Sequence, residues 1–307
     1  MGNYHHIIII YWGDSMQDLV YEFYGIYPYF DYGFHFVDHL LHYVLFPFED
    51  EEYLKILLEK VSFIEFRLKK SCFHIEKNKH GNYISNGYVL FSYTKNEVTT
   101  EEIFVMNQII FDQEPFNLLE IRDKWVSKVD FFRRRYLHLL DLNHPCYEQY
   151  CIMTLFYLGQ AETAIGYLID VVYDHPNQIL YGFVSHQRIQ TIEFEELYNP
   201  LYFVKDNRVR DIIELYKKNM VHLDDIELFI KQYRLSNIEI HYMMARCLFP
   251  TFYFDYVEED YFKEKTTNQE ILDTYHKIEL NLLRIRELYF LLNQYYPLRP
   301  INWLMKD

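Results

Sequence analysis

YGFVSHQRIQTIEFEELYNPLYFVKDNRVRDIIELYK, residues 181–217, is the stretch of sequence that decides the fold. It opens with a short apolar run, 181–184, followed by the polar turn His186-Gln187-Arg188. A second apolar run covers 200–204, and after a loop Asp211 heads a new pattern of helical spacing. The stretch therefore predicts a strand, a polar turn, a second strand, a loop that carries an acid, and a helix.

This order resembles the catalytic core of the aminoglycoside-phosphotransferase-like group and, in detail, the spore coat proteins of the CotS and YutH kind. Active members of that superfamily carry His-Gly-Asp in the first turn, where the Asp is the catalytic base. They carry Asp-Phe-Asp or similar in the second loop, where the leading Asp holds magnesium. By this resemblance Arg188 stands at the base position, and counting back from Asp211 puts Asn199 at the metal position.

Three further segments are similar to the coat-protein group: residues 157–168, 199–217 and 245–255. With a weaker match from about Leu45 to Tyr93, the resemblance spans most of residues 35–305. It implies an α+β, protein-kinase-like (aminoglycoside phosphotransferase-like) fold with two lobes. The small N-lobe, rich in β-structure, would cover residues 1–95. The large, mostly helical C-lobe would cover residues 96–307 and contain the degenerate catalytic and metal loops.

Apolar spacing along the chain predicts the individual elements. Helices are expected over 16–24, 49–66, 147–173, 223–233, 236–248 and 271–295, and strands over 7–11, 27–48, 72–76 and 83–93. Thr99 and Glu102 have capping-box spacing, which predicts a helix through Ile110. Pro115 is expected to start the next helix, and Trp303 to hold the C-terminal tail.

The residues that usually hold nucleotide phosphates are missing from the N-terminal part of the sequence. The strand before the 49–66 helix, 43–48, has no Lys or Arg, although the kinase resemblance puts the nucleotide-holding lysine there. The chain also contains neither G-x-G-x-x-G nor G-x-x-x-x-G-K-[ST]. Because phosphate binding needs backbone donors and a nearby cation, we expect no nucleotide cofactor and no catalytic residue among the degenerate positions His186, Arg188, Asn199 and Asp211.

The degenerate positions have specific physical interpretations. A guanidinium stays protonated, so Arg188 cannot accept a proton from a hydroxyl group. By residue type His186 could be a general base, since the unperturbed pKa of histidine lies near neutrality, but in kinase-like folds the corresponding His supports the loop, and that role is expected here. Asp211 is predicted to cap the helix that begins at Ile212. Residual nucleotide binding through a relocated magnesium on Asp206 stays an open alternative.

His35, His39 and His42 are the strongest local candidate for a metal site. On a helix they would share one face at i, i+4 and i+7 and could ligate zinc. On a strand, His42 would face away from the other two. The resemblance places this stretch in a sheet, so no metal is expected.

Composition excludes some classes of partner. The formal net charge of −15 argues against nucleic acid and anionic membranes, which require a basic surface. No apolar run reaches the ~18 residues of a membrane span, and no signal peptide is recognised, so a soluble protein synthesised in the cytoplasm is expected. The four Cys match no zinc spacing, and three of them lie in apolar surroundings that predict buried free thiols.

Two main functional hypotheses follow. The resemblance implies a catalytically inactive kinase-fold protein of the spore coat, which binds other coat or sporulation proteins and is located in the coat if the host forms endospores. Its 31 Tyr would help adhesion or cross-linking, although codon bias alone would also produce this number. The alternative is a small-molecule (aminoglycoside- or choline-like) phosphotransferase with displaced catalytic residues. A third possibility is metal binding through the His35 cluster.

Overall fold

The computed structural model describes residues 13–137, 139–140, 142–262 and 266–305. The strand predicted over 7–11 lies outside them. Contacts between Cα atoms divide the chain into two compact units. The first unit contains the chain up to Ile109 together with 186–188 and 192–203, and the second contains 110–185, 189–191 and the chain from Val204 onward. A division into lobes near residue 95 stays a prediction.

The first unit is built on an antiparallel sheet. Its elements are α1 (Gly13–Tyr24), β1 (Tyr29–Tyr32), β2 (His35–Asp38), β3 (Leu41–Pro47), α2 (Glu51–Leu68), β4 (His74–Ile75), β5 (Ile84–Ser85), β6 (Tyr88–Tyr93) and α3 (Thr100–Met106). The strand order is β1-β2-β3-β6-β4, and β5 also pairs with β6. The strand-rich stretch 27–48 predicted from the sequence is thus three strands. Gly33 and His39, both with positive φ, lie in the turns between them.

The core of this sheet lies on β3 and β6, where Val44 pairs with Phe91 and Leu45 with Leu90. All four side chains are almost completely buried. Two central strands that are apolar on consecutive residues fit a sheet that is covered on both faces. Val20 of α1 joins one of the buried clusters, so α1 contributes to this core.

The helix predicted over 49–66 is confirmed as α2. It was predictable because its capping residue and its apolar spacing indicate the same helix. The Asp50 side chain accepts a hydrogen bond from the Tyr53 N–H at 2.9 Å and caps the helix. Leu54, Leu57 and Ile64 recur at helical spacing and are buried. Asp50, as N-cap, moves the start of the helix two residues beyond the predicted Glu49.

The second unit is mostly helical. Its elements are β7 (Ile110–Phe116), α4 (Leu118–Tyr136), α5 (Tyr147–Asp174), β8 (Leu180–His186), β9 (Phe203–Asp206), α7 (Arg210–Lys217), α8 (Leu223–Tyr233), α9 (Asn237–Leu248), α10 (Thr251–Phe262) and α11 (Asn268–Asn293). Two residues at the boundary strands, His186 and Phe203, cluster with the first unit. The strands β7, β8 and β9 form a three-stranded sheet in that order. The segment between β8 and β9 forms the short helix α6 (Phe194–Leu197) and a 3₁₀ turn at Pro200–Tyr202.

The predicted start of α3 after Thr99 is confirmed, but its capping box is not formed, and the helix start predicted at Pro115 is wrong. Thr99 is the N-cap residue of α3, but its side chain forms no capping bond. The Glu102 carboxylate does not return to the Thr99 N–H either, because it binds Lys70 at 2.9 Å and accepts a hydrogen bond from the Tyr198 hydroxyl. The helix also ends at Met106, since Ile110 already belongs to β7. Pro115 lies in β7, at the end of the sheet order, where a missing N–H is tolerated.

The helix that Pro115 was expected to start begins later. Asn117 caps α4, and its side-chain oxygen accepts a hydrogen bond from Leu119 N–H at 2.9 Å. In the C-terminal tail, Trp303 is only partly buried. Ile301 and Leu304 are the buried residues there, so the docking contact assigned to Trp303 belongs to them.

The predicted α+β class is confirmed, with a β-rich N-terminal sheet and a mostly helical C-terminal part. Cys72, Cys146 and Cys247 are buried free thiols, as predicted. Among the helices of the described residues, none is both long and apolar enough to span a membrane.

The ion pair between Glu102 and Lys70 gives the first prediction. Both side chains are more than four-fifths buried, so Glu102→Ala removes the counter-charge of a buried ammonium and the acceptor of the Tyr198 hydroxyl. We expect the free energy of unfolding, measured by urea denaturation, to fall by about 2 kcal/mol. Glu101→Ala, on the exposed neighbouring position, is the control and should change it by less than about 0.5 kcal/mol. Equal effects of the two substitutions would contradict the assigned role of Glu102.

Candidate functional site

His186 is the last residue of β8 and is buried. Its Nε2 lies 3.0 Å from the Leu197 carbonyl oxygen, and its ring meets Phe203 edge-on. Because a carbonyl can only accept, Nε2 must carry the proton in this hydrogen bond. The neighbouring Gln187 N–H donates to the Tyr202 carbonyl at 2.7 Å. This geometry is the one that a loop-supporting His requires, and the role itself stays a prediction.

Arg188 is exposed in the turn that follows β8. It stands two residues after His186, where the resemblance puts the catalytic base. A guanidinium has no lone pair to accept a proton at ordinary pH. By that resemblance, the turn carries a fixed positive charge where an active phosphotransferase has a carboxylate.

Asn199, which the resemblance puts at the metal position, is buried. Its side-chain oxygen accepts a hydrogen bond from Leu201 N–H at 3.0 Å and caps the 3₁₀ turn at Pro200–Tyr202. The oxygen that would ligate a cation is thus used by the fold of its own loop. His186, Arg188 and Asn199 all belong to the first unit, whereas Asp206 and Asp211 belong to the second.

Asp211 is completely buried in the first turn of α7, where a carboxylate is favoured by the helix dipole. The prediction that it caps the helix is wrong, because the helix begins at Arg210 and its N-cap is Val209. The sequence placed the helix start two residues too late since the Arg208-Val209-Arg210 segment lacks an obvious capping side chain.

Asp206, at the end of β9, is the centre of a buried polar arrangement in the second unit. One carboxylate oxygen accepts hydrogen bonds from the Asn207 N–H at 2.7 Å and the Tyr242 hydroxyl at 3.0 Å. The other accepts from Arg210 at 2.9 Å and Arg246 at 3.3 Å. Asp206 is buried, and these four donors match the roughly four lone-pair positions of a carboxylate.

The cluster extends from Asp206 through Arg246 to α7. Arg246 also donates to Glu214 at 3.1 Å, and Lys217 lies 3.1 Å from the same carboxylate. Burial disfavours the charged form of Arg246, but Tyr242, Asp206 and Glu214 outweigh it and raise its pKa. We call Asp206, Arg210, Glu214, Lys217 and Arg246 the ion cluster. It contains two carboxylates and three cations, all within the second unit.

Sequence reasoning considered Asp206 as a possible magnesium ligand but missed the ion cluster. Arg246 is 40 residues away in the sequence, inside the segment that resembles the coat-protein group. Its location on the buried α9, where an unpaired Arg would be costly, was the available signal.

The histidine metal hypothesis fails on geometry. His35 lies on β2 and His42 on β3, while His39 lies in the turn between them with its side chain almost fully exposed. The ring of His42 stacks on Tyr93, with ring centroids 5.2 Å apart. The shared helical face is therefore absent from this segment, and no group of three or more His, Cys, Asp or Glu elsewhere in the described residues suits a metal ion.

Removal of Arg246 should expose the dependence of the fold on the ion cluster. Arg246→Met keeps most of the apolar stem but leaves Asp206 and Glu214 short of a cation. We expect a loss of about 3–5 kcal/mol in the free energy of unfolding, measured by urea denaturation. Arg134→Met, on the exposed end of α4, is the matched control and should change it by about 0.5 kcal/mol or less.

The same cluster predicts a pH dependence of stability. Burial opposes the charge on Glu214, but Lys217, Arg246 and Arg210 outweigh it and lower its pKa below the ordinary 4.5. The stabilisation is therefore complete above pH 4.5 and is lost as the pH falls through the lowered pKa of the folded state. Urea denaturation between pH 3 and 6 should show this decline in the free energy of unfolding. Glu214→Gln should reduce the slope of that free energy against pH by the equivalent of up to one proton. An unchanged slope in Glu214→Gln would count against the assignment.

The chain is similar to a known protein family, to a coat-associated protein and to a solved structure. A family model described as "Spore coat putative kinase YutH" matches residues 114–283. The endospore coat-associated protein YutH of Bacillus subtilis (strain 168) is 30% identical over 173 residues, and the match covers half of each protein. The crystal structure of the choline kinase LicA from Streptococcus pneumoniae is similar with a TM-score of 0.41 and 10% identity, over 82% of this chain and 89% of that one.

Proposed function

The chain belongs to the family described as "Spore coat putative kinase YutH", and on that premise we propose that it is a kinase-fold protein of the spore coat that works by binding and transfers no phosphate. The matched relative, of which the chain spans about half the length, is itself coat-associated. The coat assignment rests on this relationship. The lack of phosphate transfer rests on the chemistry of the site.

The observation that carries the proposal is the environment of Asp206. Magnesium is held in phosphotransferases by carboxylate oxygens that remain open to the ion and to substrate phosphates. Both oxygens of Asp206 already accept hydrogen bonds, and two of the donors are guanidinium groups. A divalent cation would have to displace two permanent positive charges that are held inside the protein.

The other requirements of phosphoryl transfer are weakened independently. Arg188 replaces the base, and the amide oxygen of Asn199 is used in its own turn. The strand β3 carries no Lys or Arg that could hold a phosphate. The catalytic base, the metal ligand and the cation that would hold a phosphate are thus all affected. Their combined loss favours a binding role over an enzyme with displaced catalytic residues.

Other coat or sporulation proteins are the proposed partners. Several Tyr side chains are strongly exposed, among them Tyr27, Tyr29 and Tyr173. Tyrosine offers a large rigid contact surface with a polar end, which suits protein interfaces. Because the net charge is −15, we expect the partners to be proteins that present basic surfaces.

Binding and turnover of Mg-ATP test the catalytic part of the proposal. We expect no magnesium-dependent thermal shift with ATP and no ATP consumption with aminoglycosides or choline, because Asn199 stands at the metal position and the oxygens of the alternative ligand Asp206 are bound by other groups, including Arg210 and Arg246. An active choline kinase assayed in parallel is the positive control. A clear magnesium-dependent shift accompanied by turnover would establish the alternative, a small-molecule phosphotransferase.

Localisation tests the coat part separately. A fluorescently tagged copy, expressed during sporulation of an endospore-forming host, should accumulate on the developing spore and stay with the purified coat. The Arg188→Ala variant should do the same, since no catalysis is required. A signal that stays diffuse in the mother cell would refute coat association while leaving the catalytic question untouched.

A further inference from the structure

The helix α5 presents an exposed apolar strip along most of its length. Between Ile152 and Tyr173, its exposed residues recur at alternating spacings of three and four. Four of them are large and apolar, with exposed fractions of 44% for Ile152, 62% for Leu155, 44% for Ile169 and 80% for Tyr173. This spacing is the one by which two helices pack along a common seam.

Two glycines, Gly159 and Gly166, occupy the middle of the same strip. A glycine inside a helix costs about 0.5–1 kcal/mol relative to alanine, so its presence calls for a reason. Within the described chain, and apart from the backbone of α5 itself, no atom lies within 4 Å of the point where a Cβ would stand at either glycine. The space that these glycines leave is not used by contacts within the described chain.

We propose that this strip of α5 is a self-association surface, on which α5 of a second copy packs antiparallel. Helices whose interface carries glycine approach closely, because no side chain separates the backbones. The large residues at the ends of the strip and the glycines in its middle give it a shape that fits such an approach. The interface would be isologous, as in most symmetric dimers.

The order of residues along the strip is nearly symmetric about its centre, between Glu162 and Thr163. Under a two-fold axis at that point, Gly159 faces Gly166 of the second copy. Ile152 faces Tyr173 of the second copy, so a large side chain meets a large one at each end. A partner of unrelated sequence would not need this symmetry, and it therefore favours a second copy.

Charge is also compatible with the antiparallel arrangement. Glu162, the charged residue nearest the axis, is paired with Arg133 of α4. Two such neutralised pairs can meet at the axis, whereas two bare carboxylates would repel each other. Antiparallel helices in addition place the positive end of one dipole beside the negative end of the other.

The size of the strip sets the strength of the contact. From Ile152 to Tyr173 it is about 32 Å long and about 10 Å wide, on the order of 300 Å² per copy. The total stays below that of a stable interface, so the dimer is weak and dissociates on dilution.

Sedimentation of the full chain over a range of concentrations tests the proposal. We expect the average mass to rise from 37.9 kDa toward twice that value with increasing concentration. Leu155→Glu should abolish the rise, because it puts a charge into the apolar strip. Phe66→Glu, at a 79% exposed position on α2, is the matched control and should leave the rise unchanged. A monomer at all concentrations, or equal effects of both substitutions, would overturn the proposal.

A glycine variant separates folding from association. Because a Cβ meets open space at both positions, Gly159→Ala with Gly166→Ala should raise the melting temperature at low concentration by a few degrees. The same variant should raise the dissociation constant of the dimer about tenfold, because the backbones can no longer approach closely. A variant that is more stable and dimerises as well as the parent would refute the close approach.

Cross-linking tests the direction of packing, in a Cys151→Ser background that removes the half-buried native thiol. In the antiparallel dimer Thr163→Cys lies near the axis and should form a disulfide with itself on mild oxidation. Ile152→Cys should not, but a mixture of Ile152→Cys and Tyr173→Cys chains should form mixed disulfides. Self-cross-linking at both 152 and 163 would indicate parallel packing and overturn the antiparallel assignment.

Discussion

The pairing of the Asp206 carboxylate with two guanidinium groups is the interaction on which the second unit depends. Asp206 ends β9, Arg210 begins α7, and Arg246 comes from α9, so one carboxylate joins three elements. Each of these groups would be costly to bury alone, since desolvation of an isolated charge costs several kcal/mol. When one of these charged groups is buried, the groups of opposite charge must be buried beside it to offset its desolvation.

A second ion pair reinforces the same connection. Arg208, two residues after Asp206, binds both oxygens of Glu239 at 2.6 and 2.8 Å. Burial opposes the charge on Glu239, but Arg208 and Ser236 outweigh it and lower its pKa. Paired N–H···O bonds of this kind fix direction as well as distance. The segment between β9 and α7 is therefore held to α9 at Asp206 and again at Arg208.

The fold was predictable where local and tertiary signals agree. The helices α2 and α5 follow from apolar spacing because each buries one continuous side. The helix α10 was missed because its sequence, rich in aromatic residues on every side, has no clear helical period. Pro115 was misassigned because a proline near an apolar run fits a helix start as well as an edge strand. Glu102 has the spacing of a capping box, but a lysine 32 residues earlier binds it instead.

The candidate site was predictable in its types of residue and not in its pairings. The turn at His186 and the charge at Arg188 are visible in the sequence, as is an acid near the end of the second strand. Which acid is open to a cation depends on partners from distant helices. Tyr242 and Arg246 lie one helical turn apart on α9, so both reach Asp206 from one side. That spacing becomes meaningful only when the fold brings α9 to β9.

The ion cluster also opposes the binding of a metal ion at Asp206. Magnesium and the two guanidinium groups compete for the same lone pairs of Asp206, so binding of the ion requires that Arg210 and Arg246 leave. Arg246 is at the same time a counter-charge of Glu214, which is buried beside it. Its loss would leave Glu214 with Lys217, whose ammonium is itself disfavoured by burial, which lowers its pKa. Removal of Arg210 or Arg246 to open Asp206 to a cation would therefore destabilise the contact between α7 and α9.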